Sequence, residues 1–364
     1  MIQPLIYGLI TASFIILASC GDRDLGSPIT EIDDTFIDSL FIDYNNEDSP
    51  GAALMIIKDG KSVFSKGYGL ANLEDDLHVE NETNFRLASV TKQFTAMCVM
   101  ILINRDELSF ESSLTDIFSN FPAYGNTITI RQILNHTSGL LDYESLIPTN
   151  VIEQVTDQDV YFLMLEQNST YFIPGTDYRY SNTGYALLAM IIENISKKSF
   201  AQFLEDNIFS TLGMNESIAY QNGISIVSDR AYGYSKNGNV YNRDDQSLTS
   251  AVLGDGGIYT SLHDMFYWDQ NLYTNQLVEF ELLNEAFTSG KLSNGNSTGY
   301  GFGWRIDTYL FRKRFHHTGS TRGFRNVFMK FPDQQISILI LTNRNSGTPF
   351  NIAEKIADYM FDAK

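Results

Sequence analysis

Runs with strand character lie at the two ends of this chain and almost nowhere between, and that separation constrains the fold more than any other feature of the sequence. Near the start, GAALMIIKDGKSVFSKGYG at 51–69 reads as two strands joined at Asp59-Gly60, a dipeptide that accepts the positive φ angles of a tight hairpin turn. Near the end, FGWRI, RKRFHHTG, NVFMKFP and ISILILTN read as four more strands, followed by an amphipathic helix at 349–361. From 86 to 290 the pattern is mostly helical, with helices expected at 90–104, 182–196, 200–212 and 261–272, the last opened by Ser261 and Asp264 as a capping box. A first helix is expected where Ile32, Phe36, Leu40 and Tyr44 recur at helical spacing. One sheet must therefore be assembled from both chain ends. The expectation is an α+β fold: an antiparallel sheet flanked by N- and C-terminal helices (30–85 and 291–364), with a mostly helical second lobe inserted at 86–290.

The 364 residues suffice for a full core and a second lobe, with room for a cleft between them. A net charge of −19 with only 25 Lys plus Arg repels a phosphate backbone, so nucleic acid is not expected as a partner. The one basic cluster, FRKRFHH at 311–317, is expected in an edge strand. Residues 1–19 form an apolar leader, and LASC at 17–20 resembles the lipobox of bacterial lipoproteins, in which the cysteine becomes the acylated first residue. That resemblance implies an exported cell-envelope protein, periplasmic or on the cell surface, held at the membrane through lipidated Cys20, with 20–29 as a linker. Cys98 lies in the apolar stretch FTAMCVMILI and is expected to be a buried small hydrophobe, so no disulfide framework is expected.

The residues that carry chemistry begin with FRLASVTKQFTAM at 85–97, where Ser89 precedes Lys92 by three positions at a helix start. Residues three apart share a helix face, so the Lys92 amine can reach the Ser89 hydroxyl, and a hydroxyl needs such a base to act as a nucleophile. The alternative is local: Ser89 or Thr91 as N-cap, Lys92 as a solvated first-turn residue. A lysine there opposes the helix dipole. PGTDYRYSNTGYALLAMII at 174–192 brings Tyr180 and Asn182 to the entrance of another helix, where Tyr180 is either a site hydroxyl or a core aromatic and Asn182 a site amide, an N-cap or both. HHTGSTRGF at 316–324 places His317, Thr318, Gly319 and Ser320 along a strand whose glycine admits close approach. His316 should face the other way. His78 and His263 lack partners at metal-ligand spacing, and Gly-x-Ser-x-Gly is absent, so neither a metal, another cofactor nor an α/β-hydrolase elbow is expected.

Ser-x-x-Lys, Tyr-x-Asn and His-Thr-Gly in that order, with TIRQILNHTSGL, LGMNES, GDGGIYTSLHDMFYW and YGFGW around them, resemble the serine β-lactamase and penicillin-binding protein superfamily, in its class C-like branch, over residues 30–362. The resemblance implies a β-lactamase/transpeptidase-like fold and acyl transfer through a covalent intermediate on Ser89. Lys92 and Tyr180 would share the base role, and Asn182, His317, Thr318, Gly319 and Ser320 would bind substrate, the Ser89 and Ser320 N–H groups forming an oxyanion hole. His136 would be structural. Substrates would be small esters, amides, β-lactams or peptidoglycan-derived peptides; the alternative is a catalytically weak penicillin- or peptidoglycan-binding relative. His317 stands where many such enzymes carry lysine, and histidine is mostly neutral near pH 7, so anchoring of a substrate carboxylate should be weaker, unless Arg322 supplies the charge.

Overall fold

The computed structural model describes residues 32–362. The expected leader, Cys20 and linker lie outside the described residues. The central sheet has six antiparallel strands: β1 (Ala52–Lys58), β2 (Lys61–Tyr68), β3 (Arg305–Tyr309), β4 (Arg312–Thr321), β5 (Phe324–Phe331) and β6 (Ile336–Thr342), in the spatial order β3-β4-β5-β6-β1-β2. The β1–β2 turn has Asp59 and Gly60 at φ 51° and 72°, and β1 is zipped to β6 from Ala52↔Thr342 to Lys58↔Ile336. Thus the two chain ends do share one sheet. The basic segment 312–317 lies inside β4 rather than at the edge; β3 is the edge strand, and Arg314 turns inward to Asp307 and Glu354, at 2.7 Å from each. An exposed basic strand would have left those carboxylates unpaired.

Strand period two explains how a nearly continuous apolar run serves both faces. Ala52, Leu54 and Ile56, with Val327, Met329, Ile338 and Ile340, pack under helices Asp34–Leu40 and Pro349–Asp362. Ala53, Met55 and Ile57, with Phe328, Leu339 and Leu341, face the helical lobe. The first helix covers only Asp34–Leu40, so Ile32 and Tyr44 of the expected stripe lie outside it; Ile37, with Phe41 and Tyr44 just beyond its end, is buried, while Ile32, Phe36 and Leu40 flank them. Two adjacent stripes are apolar there, and only the sheet decides which is central.

The second lobe is built on helix Lys92–Asn104, whose residues from Lys92 to Leu102 are all buried. A helix apolar on every side must be surrounded by protein. Helix Asn182–Ser196 packs beside it, and Phe94 stacks on Trp268 of helix Leu262–Asn271 at 4.1 Å. The 200–212 segment is helical but contains a π turn at Glu205–Phe209. Ser261 caps its helix as expected, yet the Asp264 carboxylate accepts from Glu216 N and Ser217 Oγ instead of closing the capping box. Short strands Phe85–Arg86, Ile218–Ala219 and Ile258–Thr260 form a small sheet between the lobes. Cys98 is buried and free.

Candidate active site

The Ser89 turn is held from three sides. Two residues after strand Phe85–Arg86, Ala88 stands at φ 50°, a left-handed conformation that costs a non-glycine residue roughly 1–2 kcal/mol. The chain then enters a 3-10 turn, Ala88–Thr91, which feeds the Lys92–Asn104 helix and carries Ser89 half-buried at its head. No side chain caps this turn, so the N-cap alternative for Ser89 and Thr91 does not hold. Asn326 of β5 donates to both Arg86 O (2.8 Å) and Leu87 O (3.2 Å), while its own carbonyl accepts from Thr342 N at 3.0 Å. Gly319 of β4 lies against the same segment, where a Cβ would meet Leu87 O at 2.0 Å. Contact that close admits only glycine, so β4 and the serine turn are locked face to face.

Lys92 is buried, and its Nζ reaches three acceptors: Ser89 Oγ at 3.2 Å, Asn182 Oδ1 at 2.9 Å and Asp255 O at 2.8 Å. Three acceptors match the three N–H groups of an ammonium; in the amine form the same geometry leaves a lone pair for one hydroxyl proton. The Asp255 carbonyl belongs to the turn Leu253–Gly256, pinned by Leu253 and Gly254 N–H donating to the Asp157 carboxylate at 2.7 and 3.0 Å. Burial pushes the Asp255 carboxyl up to about 6 against the opposing pull of Lys92 and Arg86, and it accepts from Tyr143 OH at 3.2 Å.

Tyr180 lies under Lys92, whose Nζ is 5.0 Å from its ring centre. Its hydroxyl is buried and has no hydrogen-bond partner among the described residues, an arrangement that costs stability. Ser181, not Asn182, caps the helix that follows, accepting from Gly184 N at 3.1 Å. That division of labour leaves the Asn182 amide free to bridge Lys92 and Glu144, the latter at 3.2 Å from Nδ2. His136 is buried among Tyr180, Tyr185 and Tyr300, and its Nδ1 accepts from Ser181 N at 3.1 Å, which orients the Tyr-Ser-Asn segment.

His316 and His317 do face opposite ways. His316 packs on Phe350 of the C-terminal helix with Nε2 at 3.4 Å from Asp307. His317 faces the helical lobe, Nδ1 at 2.8 Å from Thr318 O and Nε2 at 2.9 Å from Tyr300 OH. A carbonyl only accepts, so Nδ1 carries the proton and Nε2 accepts a hydrogen bond from the Tyr300 hydroxyl. Burial, then the Lys92 charge, hold this imidazole well below its ordinary pKa. It is neutral and 1% exposed. Thr318 is half-buried and Ser320 exposed, on the part of β4 that runs past the end of β3 at Arg305↔His316. Arg322 is 56% exposed and pairs with Asp244 at 3.5 Å, so the compensating charge expected of it goes elsewhere.

Comparison with known proteins bears directly on this arrangement: the Beta-lactamase family matches residues 37–359. The chain belongs to the β-lactamase family. It is a serine hydrolase of that group. It is 30% identical over 337 residues to Penicillin-binding protein 4* of Bacillus subtilis (strain 168), covering 87% of this chain and 73% of that one. D-aminopeptidase of Brucella canis is 27% identical over 310 residues, 82% of this chain but only 57% of the relative. Among solved structures, the octameric penicillin-binding protein homologue from Pyrococcus abyssi superposes with a TM-score of 0.77 at 26% identity, over 90% of this chain and 76% of that one. The fold of this β-lactamase-family chain is thus the β-lactamase/transpeptidase-like one.

Within it, Ser89, Lys92, Tyr180, Asn182, His317 and Gly319 converge from three separated segments, and Ser320 borders them. Three further residues escaped sequence reasoning. Asn326 clamps the serine turn; its only signal was a polar residue at the head of an apolar strand. Glu144 touches Asn182 from a loop without periodicity. Arg305, in FGWRI, places its guanidinium 5.5 Å from the Tyr180 ring centre and 6.0 Å from that of Tyr300, and joins no salt bridge among the described residues.

Proposed function

We propose that this chain is an exported serine amidohydrolase or peptidase that works through an acyl-enzyme on Ser89. The observation that carries the reading is Lys92 Nζ, in contact at once with Ser89 Oγ, Asn182 Oδ1 and Asp255 O, above the unpartnered Tyr180 hydroxyl. Ser89 Oγ attacks the substrate carbonyl carbon while its proton passes to Lys92 or Tyr180. The carbonyl oxygen takes up negative charge against the N–H groups of Ser89 and Ser320, a kind of stabilisation in which one donor is worth about 10²–10³-fold in rate. The C–N bond then breaks, the leaving nitrogen receives the proton, and water activated by Tyr180 releases the acyl group and restores Ser89.

Amides rank above β-lactams for two reasons. His317 is neutral and buried, so it offers no charge to a lactam carboxylate. A relative carries the name D-aminopeptidase. Arg305 adds a second cation beside Lys92, its guanidinium near the Tyr180 and Tyr300 rings. The leader and Cys20 would place the enzyme on the envelope side of a membrane. The test uses residues 21–364 against a p-nitrophenyl ester, D-alanine p-nitroanilide and a chromogenic cephalosporin, with intact-mass detection of the adduct. Ser89→Ala should abolish adduct and turnover alike; turnover that survives it refutes the assignment. Covalent labelling by penicillin with no turnover of any substrate would favour the weak penicillin-binding alternative.

A further inference from the structure

The hairpin tip between β3 and β4 runs against its own turn chemistry. Tyr309 pairs with Arg312, so the loop is two residues long, and both of them, Leu310 and Phe311, stand at positive φ, 47° and 62°. A type I′ turn requires positive φ at both positions, and Asn-Gly or Asp-Gly supplies it with least strain, as Asp59-Gly60 does in the β1–β2 turn of the same sheet. Bulky side chains rarely adopt that conformation. Packing does not select them either, because Leu310 is 51% exposed and Phe311 entirely so. A leucine and a phenylalanine that serve neither the turn nor the core point to a partner outside the chain.

The surroundings give the chemistry of that partner. Arg312 and Lys313 follow the tip directly; the Arg312 guanidinium lies 4.1 Å from the Phe361 ring centre and its Nη1 donates to Leu310 O at 2.9 Å, while Lys313 is exposed. Two nearby carboxylates are already engaged, Asp307 by Arg314 and Asp358 by the Tyr309 hydroxyl. An apolar tip followed by cations suits the interface of a bilayer, with the apolar side chains among acyl chains and the cations at headgroup depth. The described chain also starts at this end. Asp33 N donates to Tyr359 OH at 2.9 Å and Phe36 stacks on the Tyr359 ring, while Phe361 carries Arg312 and packs on Phe331. Residues two apart on a helix face nearly opposite ways, so chain entry and hairpin tip flank the last turn of the C-terminal helix. Cys20 precedes Ile32 by twelve residues, which span at most about 43 Å. A membrane that holds Cys20 is therefore within reach of the tip.

We propose that the Leu310-Phe311 tip inserts into the phospholipid surface that anchors the chain, so that the molecule stands on this end with its cleft held away from the bilayer. Gly319, at the cleft, is eight residues along β4 from Phe311, roughly 26 Å at about 3.3 Å per residue. The net charge of −19 gives no general attraction to anionic lipid, so the contact depends on the apolar tip. The inference rests on the envelope placement proposed above and is independent of the chemistry at Ser89.

The test takes the chain expressed with its leader, carrying Phe311→Trp, and reconstitutes it into phosphatidylcholine vesicles with and without bromine on the acyl chains. Both native tryptophans, Trp268 and Trp304, are buried in the core, so the introduced indole is the one that reports on the tip. Its emission should shift to the blue in plain vesicles and be quenched in brominated ones, with the native pair unaffected in wild type. Leu310→Asn combined with Phe311→Gly gives the turn the residues it prefers, and should melt later than wild type with unchanged turnover of the p-nitrophenyl ester. A double variant that melts earlier would show that the fold itself needs the two side chains, and overturns the argument for a lipid partner. Chain that floats with the vesicles while its indole stays unshifted and unquenched overturns the proposal and spares the envelope placement. Chain that does not associate with vesicles sinks both. A blue shift that appears only when envelope proteins are added assigns the tip to a protein partner and likewise overturns the proposal.

Discussion

Replacing Gly319 by alanine should separate the positioning of the site from the stability of the fold. The added methyl would lie 2.0 Å from Leu87 O, whereas ordinary contact begins near 3.4 Å. Neither partner can yield by rotating a side chain, because both are backbone. The strand and the serine turn must part by about 1.4 Å, and Asn326, which holds Arg86 O and Leu87 O at 2.8 and 3.2 Å, resists on the far side. Position 319 is not among the residues with positive φ, so alanine suffers no backbone strain and the whole effect is this contact. Overpacking of this kind costs about 1–3 kcal/mol, which for a domain of this size lowers Tm by only roughly 1.5–4 °C. Catalysis is more sensitive: a displacement near 1 Å between nucleophile and oxyanion donors costs on the order of 10²-fold. Steady-state kinetics on the p-nitrophenyl ester, beside calorimetric melting of the same preparation, should show a rate loss far larger than the fraction unfolded explains. Wild-type kcat/KM, or a loss of rate matched by loss of folded protein, would refute the account of why glycine stands there.

Two further outcomes follow from buried groups. Tyr180→Phe should lower kcat by about 10²–10⁴-fold while leaving Tm unchanged or raising it, since the hydroxyl removed is buried without a partner; a variant that melts earlier would mean that the hydroxyl is satisfied in the folded protein. His316 is depressed to about 4 by burial, with Arg314 adding to the effect and Asp307 opposing it. Its folded pKa lies below the ordinary value near 6.5, so its contribution to stability is complete above about pH 6.5 and is lost as pH falls through 4. Denaturant titrations of wild type and His316→Gln should therefore show a stability gap that narrows over that interval, and a gap constant with pH would contradict it.

Much of this protein is written locally. Runs of strand character located the six main strands, Asp59-Gly60 announced the hairpin, and the periodicity of 182–196 and 349–361 placed those helices to within a residue, because each depends on neighbours a few positions away. The order Ser-x-x-Lys, Tyr-x-Asn, His-Thr-Gly named most of the residues that meet at the cleft. Tertiary structure alone decided what those residues touch. Lys92 reaches Asn182 across 90 positions and Asp255 across 163, and Leu87 meets Gly319 through a fit of two backbones that no periodicity records. The neutrality of His317 follows from burial beside Lys92 and Tyr300, which the motif does not contain. Asn326, Glu144 and Arg305 were hidden for the same reason: each is an ordinary polar residue in its own segment, and it gains a role only when chain folding brings a distant partner within hydrogen-bonding or electrostatic range.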